Sequence, residues 1–192
     1  MNRDLRMLYR ELPEVVGCKQ CGTCCGTTQM HVDEVARILK KLEQDGRTDL
    51  IEKFEALKKY VNDPKAFPLD RNEGIALVKC RFLDQSGERK RCAVHEERGF
   101  ICRIFGATTG RGICPFGAHS LHPLSEDKAA SLVKRYYKVI EETAADERQP
   151  ERAALQRTLN KIGDLAVVND SMFFTPLEEA EDEAERLRNA GK

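Results

Sequence analysis

The chain has 192 residues, of which 41 % are hydrophobic, and its 32 basic side chains balance 32 acidic ones. That length is enough to bury a real core, as one domain or as one domain with an appendage. The balance of charge excludes an overall field that would draw the protein to nucleic acid or an anionic membrane, and no apolar run approaches the roughly 18 residues of a membrane span.

Leu5, Leu8 and Leu12, at helical spacing before Pro13, predict a short N-terminal helix. It leads into Cys18-Lys-Gln-Cys21-Gly-Thr-Cys24-Cys25, four cysteines within eight residues. Asp33 is the expected cap of a helix with the stripe Val35, Ile38, Leu39 and Leu42, ended near Asp45-Gly46. Thr48 is the expected cap of a second helix through Leu50, Phe54, Leu57 and Val61. Pro64 and Pro68 break helical continuity, Ile75 to Cys80 reads as a short buried strand, and Asp84-Gln85-Ser86-Gly87 is a turn signal. Cys92-Ala-Val-His95 would return as a second strand, making a small hairpin with a cysteine on each arm.

Cys102 lies in an apolar patch with Phe100, Ile101, Ile104 and Phe105, and the glycine-rich Gly106–Gly117 segment, carrying Cys114-Pro115, reads as loop. Beyond Ser125 there is no cysteine but three helical patterns: Ala129, Val133, Tyr136 and Ile140; Leu155, Leu159 and Ile162; and Leu177, Ala180, Ala184 and Leu187. The last is opened by Thr175, Pro176 and Glu178, a capping box with proline at the first helical position. The expected fold is mainly α with a small β-hairpin, an irregular cysteine-rich metal-binding core in residues 1–124 and an α-helical extension in 125–192. The charged final helix is the expected contact for a protein partner, with neither membrane nor nucleic acid as partner.

Charges occupy the N-terminal stretch where a secretion signal would carry its apolar core, so a reducing, cytoplasmic setting is expected and disulfides are disfavoured. Thiolates bind soft or borderline metals, and two-residue gaps let a tight turn aim successive sulfurs at one centre. Zinc ribbons, RING and LIM modules need a second close pair of ligands, whereas Cys80, Cys92, Cys102 and Cys114 are single. Cubane iron–sulfur clusters take closely spaced cysteines plus a remote one, and Cys18, Cys21 and Cys24 followed by Cys114-Pro115 lean that way. Cys25 adjoins Cys24 and points more readily at a different metal atom. The eight cysteines are therefore read as metal ligands, holding a 4Fe–4S cluster, or two, with zinc as the alternative. Packing as small hydrophobes is the competing reading for Cys80 and Cys102. His95, His119 and His122 follow cysteines and are candidate ligands or partners that fix a tautomer, while His31 is placed in the turn before a helix.

The run Cys18-x-x-Cys21-x-x-Cys24-Cys25, then Cys80-Arg-Phe82-Leu83, Cys92 and Arg98-Gly99-Phe100-Ile101-Cys102-Arg103-Ile104-Phe105, resembles the YkgJ-like cysteine-cluster family, a zinc- or iron-chelating domain, over about residues 13 to 117. Gly99 departs from the pattern by standing where proline is usual, which implies a looser approach to Cys102. The resemblance implies a metal-binding protein acting in electron transfer, sensing or metal handling. A flagellin lysine N-methylase group carries a similar cluster, which raises the alternative of a cluster-dependent enzyme modifying a protein or RNA. Gly110-Arg-Gly112 lacks the strand-then-helix setting of a nucleotide loop, and the cysteine spacing is not that of radical enzymes, so no catalytic residue is assigned.

Overall fold

The computed structural model describes residues 2–18, 28–65, 80, 82–84, 91–109 and 117–170. Its elements are α1 (Arg3–Arg10), α2 (Val32–Gln44), α3 (Thr48–Asn62), β1 (Leu83–Asp84), β2 (Arg91–Cys92), a 3-10 turn (His95–Glu97), α4 (Phe100–Ile104), α5 (Glu126–Ala144) and α6 (Pro150–Asp170). The architecture is mainly helical with a small antiparallel hairpin, as the sequence implied. The hairpin arms are short: Leu83 pairs with Cys92, and Asp84, expected in the turn, pairs with Arg91, so the second arm ends at Cys92, where it was expected to begin, and His95 lies in the 3-10 turn instead. Cys80 precedes the first arm, its carbonyl accepting the Leu83 N–H at 3.1 Å. Residues 75–79 and 85–87 of the expected strand and turn, and the pattern from Leu177 to Leu187, lie outside the described residues.

Two apolar clusters form the interior. One gathers Val35, Ile38 and Leu42 of α2, Leu50, Phe54 and Leu57 of α3, Phe82 and Val94 beside the hairpin, and Leu159 and Ile162 of α6. The other joins Leu5 and Leu8 of α1, Phe100 of α4, and Leu132, Tyr136, Val139 and Ile140 of α5. The buried stripe of α5 runs through Leu132 rather than Val133, which is half-buried. Helices α5 and α6 thus pack directly on α1 to α4.

Helix α6 approaches the chain just beyond the cysteine run closely. Gly163 sits in its interior, where glycine costs about 1 kcal/mol relative to alanine. A Cβ there would fall 2.0 Å from Gln29 Cγ and 3.0 Å from Gln29 Cα, so the missing side chain is what admits Gln29. Polar contacts fasten the same segment: Gln29 Nε2 donates to Asp164 (2.9 Å), the Val32 N–H to Gln156 Oε1 (2.8 Å), and Gln156 Nε2 to the Met30 carbonyl (3.0 Å).

The cap of α2 is His31, not Asp33. His31 Nδ1 accepts the Asp33 N–H at 3.1 Å, and Glu34 closes the capping box on the His31 N–H at 2.9 Å. Asp33 is otherwise engaged, its carboxylate taking Arg152 (2.6 Å) and the Asn2 N–H. At α3, Thr48 is the first helical residue, and Arg47 in the cap position makes no side-chain cap bond.

Glu34 is buried and joins the two clusters. Its Oε1 accepts the Tyr9 hydroxyl and the Phe100 N–H (2.7 Å), and its Oε2 accepts the Tyr136 hydroxyl and the His31 N–H. Burial first, then the Glu34 charge, holds both tyrosine hydroxyls well above the usual phenol range, so they remain donors. Four donors from four segments satisfy one carboxylate, which is what makes its burial tolerable. Glu34→Gln turns an acceptor into an N–H that faces donors, and each buried group left unsatisfied costs about 1–3 kcal/mol. The expected loss is at least about 2 kcal/mol, read as a lower urea midpoint at unchanged slope.

His31 is fully buried and uses both ring nitrogens, since Nε2 lies 2.9 Å from Thr143 Oγ1, whose hydroxyl donates to the Val139 carbonyl. Nδ1 accepts and Nε2–H donates, so the fold holds the neutral ring. Burial, partly offset by Asp33, lowers its pKa from 6.5 to about 4. A base whose folded pKa is depressed contributes its full stability above the unfolded value and loses it as pH falls, here between 6.5 and about 4. Asp33 follows at lower pH: burial would raise its carboxyl, but the Arg152 and Asn2 bonds outweigh that and hold it at about 2, against 3.8 unfolded. Urea midpoints should therefore fall on acidification from pH 6.5. The wild-type minus His31→Asn difference should carry on the order of 2–3 kcal/mol of that loss.

Gly99, at the start of α4, has φ −65° and ψ 168°, and Arg98 before it has φ −51° and ψ 144°. Both sets suit a proline at 99, so the glycine is held where the usual residue would sit and the approach to Cys102 keeps proline's dihedral. Gly99→Pro should raise stability by about 0.4–1 kcal/mol through the unfolded chain, seen as a higher thermal midpoint.

Candidate metal centre

Cys18 is reached through an irregular stretch after α1 that is fastened to the other end of the cysteine-bearing region. Val16 and His119 exchange backbone hydrogen bonds of 2.8 and 3.1 Å in an isolated antiparallel bridge. Gly17 has φ +74°, and a Cβ on it would lie 3.1 Å from the Gly117 carbonyl oxygen, so glycine permits both the left-handed turn and the close approach. The segment entering Cys18 therefore lies against Gly117–His119, three residues after Cys114 in the sequence. A second neck closes nearby, where the Leu124 N–H meets the Ala107 carbonyl at 2.7 Å and the Thr109 N–H meets the Leu124 carbonyl at 3.0 Å.

The 3-10 turn His95–Glu97 brings a second group of side chains to Cys18. His95 Nε2 stands 3.2 Å from Cys18 Sγ, and Arg98 Nη1 donates toward the same sulfur at 3.9 Å. On the far side of the ring, His95 Nδ1 is 3.0 Å from Glu96 Oε1. Glu96 is largely exposed, and its carboxyl is held below the usual range, first by the hydrogen bond to His95.

The backbone of this turn is held by guanidinium groups. Arg37 of α2 donates to the Glu97 (3.1 Å) and Arg98 (3.4 Å) carbonyls and pairs with the Glu97 carboxylate, while Arg103 of α4 donates to the Glu96 and Arg98 carbonyls. Both guanidiniums also stack on the Tyr9 ring, 5.3 and 5.7 Å from its centroid. Tyr9 is in turn bound to Glu34, so the buried carboxylate and the His95 turn form one connected polar network.

Of the eight cysteines, Cys18, Cys80, Cys92 and Cys102 are half-buried, and Cys21, Cys24, Cys25 and Cys114 lie outside the described residues. Cys80 and Cys92 pack against the α2–α3 cluster on either side of β1, and Cys102 is carried on α4. Among the described residues no three His, Cys, Asp or Glu side chains converge. His119 and His122 are exposed, His119 with Nδ1 2.8 Å from its neighbour Gly117's carbonyl. His31 has no ring nitrogen to spare.

The side chains around Cys18 suit a thiolate-bound metal. Sulfur and imidazole nitrogen are donors for zinc and iron, and Arg98 supplies positive charge beside the sulfur. Thr28 Oγ1, three residues past Cys25, is buried with no hydrogen-bond partner among the described residues, as is Nε of Arg98, whose Nη1 reaches Cys18. Sequence reasoning missed Glu34 and gave Arg98 no role beyond its place in the family pattern. The glutamate three residues after the cap of α2 was the available signal for Glu34, whereas nothing local marks Arg98 as a neighbour of Cys18.

No described helix is long and apolar enough to cross a membrane. Comparison with curated proteins and with solved structures found no match. A family model does match residues 17–149, from the approach to Cys18 to the turn before α6, and is described as "putative zinc- or iron-chelating domain". The chain belongs to this CxxCxxCC family.

Proposed function

We propose that the protein holds an iron–sulfur cluster, or else zinc, on the thiolates of Cys18, Cys21, Cys24, Cys25, Cys80, Cys92, Cys102 and Cys114. The observation that carries this is the meeting of Cys18 with an imidazole and a guanidinium at 3.2 and 3.9 Å, on a segment pinned beside the end of the Cys114 loop. An irregular segment so fastened is a costly arrangement for packing alone, and a bound metal returns that cost as folding free energy. The spacing of Cys18, Cys21 and Cys24 with the remote Cys114-Pro115 favours a 4Fe–4S cluster. Electron transfer, sensing or metal handling in a reducing cytoplasm is the corresponding role. All the ligands fall in residues 1–124, which we take as the metal-binding portion, with α5 and α6 as its buttress and the charged sequence that follows as a contact for a protein partner.

Anaerobic purification of the full chain tests the metal. Brown protein with broad violet absorption and more iron than zinc per chain is expected, and Cys18→Ser should lower metal content and thermal midpoint together. Colourless protein holding stoichiometric zinc would remove the cluster and leave a zinc protein. A chain that retains no metal and takes up neither zinc nor iron would defeat the proposal outright.

A further inference from the structure

We infer that His95 is itself a metal ligand, paired with Cys18 and fixed in the ligating tautomer by Glu96, so that the centre is of mixed sulfur and nitrogen type. This rests on the proposed metal-binding reading and deepens it by adding an imidazole to the thiolate ligands.

The separation is close to that of two ligands sharing one ion. Zinc binds cysteine sulfur at about 2.3 Å and imidazole nitrogen at about 2.0–2.1 Å, which at a tetrahedral angle puts the two donors about 3.5 Å apart. His95 Nε2 and Cys18 Sγ are separated by 3.2 Å. The opposite nitrogen completes the pattern: a carboxylate only accepts, so Glu96 Oε1 at 3.0 Å from Nδ1 places the proton there and leaves the Nε2 lone pair directed at the sulfur's side. A carboxylate on the far nitrogen is the usual partner of a ligating histidine.

Position and rigidity point the same way. The ring is 17 % exposed, so it is largely enclosed by its surroundings. Its backbone is held by Arg37 and Arg103 through the carbonyls of Glu96, Glu97 and Arg98, so the imidazole is presented from a fixed turn. Arg98 on the same sulfur offsets the negative charge that thiolate ligands gather. His119 and His122 have no comparable setting, being exposed on the chain that leaves the Gly117 turn.

The experiment uses full-length protein, purified anaerobically with its own metal and, separately, loaded with Co(II) as the probe. X-ray absorption of the bound metal should show sulfur and nitrogen in the first shell with the outer scattering of an imidazole. That signal should vanish in His95→Ala and persist in His119→Ala. Co(II) affinity should fall about 10–100-fold in His95→Ala and about tenfold in Glu96→Ala. His95→Cys should recover affinity with an all-sulfur spectrum, which a residue needed only for folding would not do. A wild-type first shell of sulfur alone overturns the inference without needing a folded variant, and would mean that the imidazole only hydrogen-bonds Cys18. Unchanged spectrum and affinity in His95→Ala overturn it equally. If wild-type protein binds no iron, zinc or Co(II), the metal-binding proposal fails and this inference with it, whereas a sulfur-only site defeats the inference alone.

Discussion

The buried carboxylate of Glu34 is the constraint on which the rest of the arrangement depends. A charge taken out of water is tolerable only when its lone pairs are filled. Here the filling groups are the Tyr9 hydroxyl of α1, the Phe100 N–H of α4, the Tyr136 hydroxyl of α5 and the His31 N–H at the start of α2. Any displacement of one of these segments strands a donor or an acceptor, so their relative positions are coupled more tightly than apolar contact alone would make them. The apolar clusters on either side supply the bulk of the burial; Glu34 decides how they are joined.

From Glu34 the network reaches the cysteine region. Tyr9 lies between the carboxylate and two stacked guanidiniums, and those guanidiniums hold the carbonyls of the turn that presents His95 and Arg98 to Cys18. Tyr9 packs edge-on against Phe100, and Phe100 stacks on Tyr136 at 4.8 Å, so the same residues that satisfy Glu34 also fill the core beneath the turn. Rigid support of this kind is what a metal site needs from its surroundings, since ligands held in place lose little freedom when the ion arrives. The Gly163–Gln29 approach contributes from the other side, clamping the chain as it leaves the cysteine run.

Much of this was legible in the residues. The apolar stripes of α1, α2, α3, α5 and α6 follow a 3.6-residue period, and the existence of a hairpin near Cys92 followed from short apolar runs around a turn signal. The errors were local. Asp33 looked like a cap because aspartate usually is one, but Arg152, distant by 119 residues, had claimed its carboxylate, and the neutral His31 ring took the capping role. In the hairpin, Asp84, which reads locally as a turn residue, pairs instead with Arg91 and is bridged at 2.8 Å by Arg47, 37 residues away.

By itself the sequence determined the chemistry: eight cysteines with their spacing, the helical periodicity and the family to which the chain belongs all reside in local order along the chain. Only the tertiary structure decided which side chains meet. The contact of Cys18 with His95 and Arg98 spans 77 and 80 residues, and the Glu34 network spans up to 102. Such meetings arise because apolar faces must be buried together and because a buried charge must find its donors wherever in the chain they lie; local spacing marks which face of a helix is apolar, but not which distant face or donor it will meet.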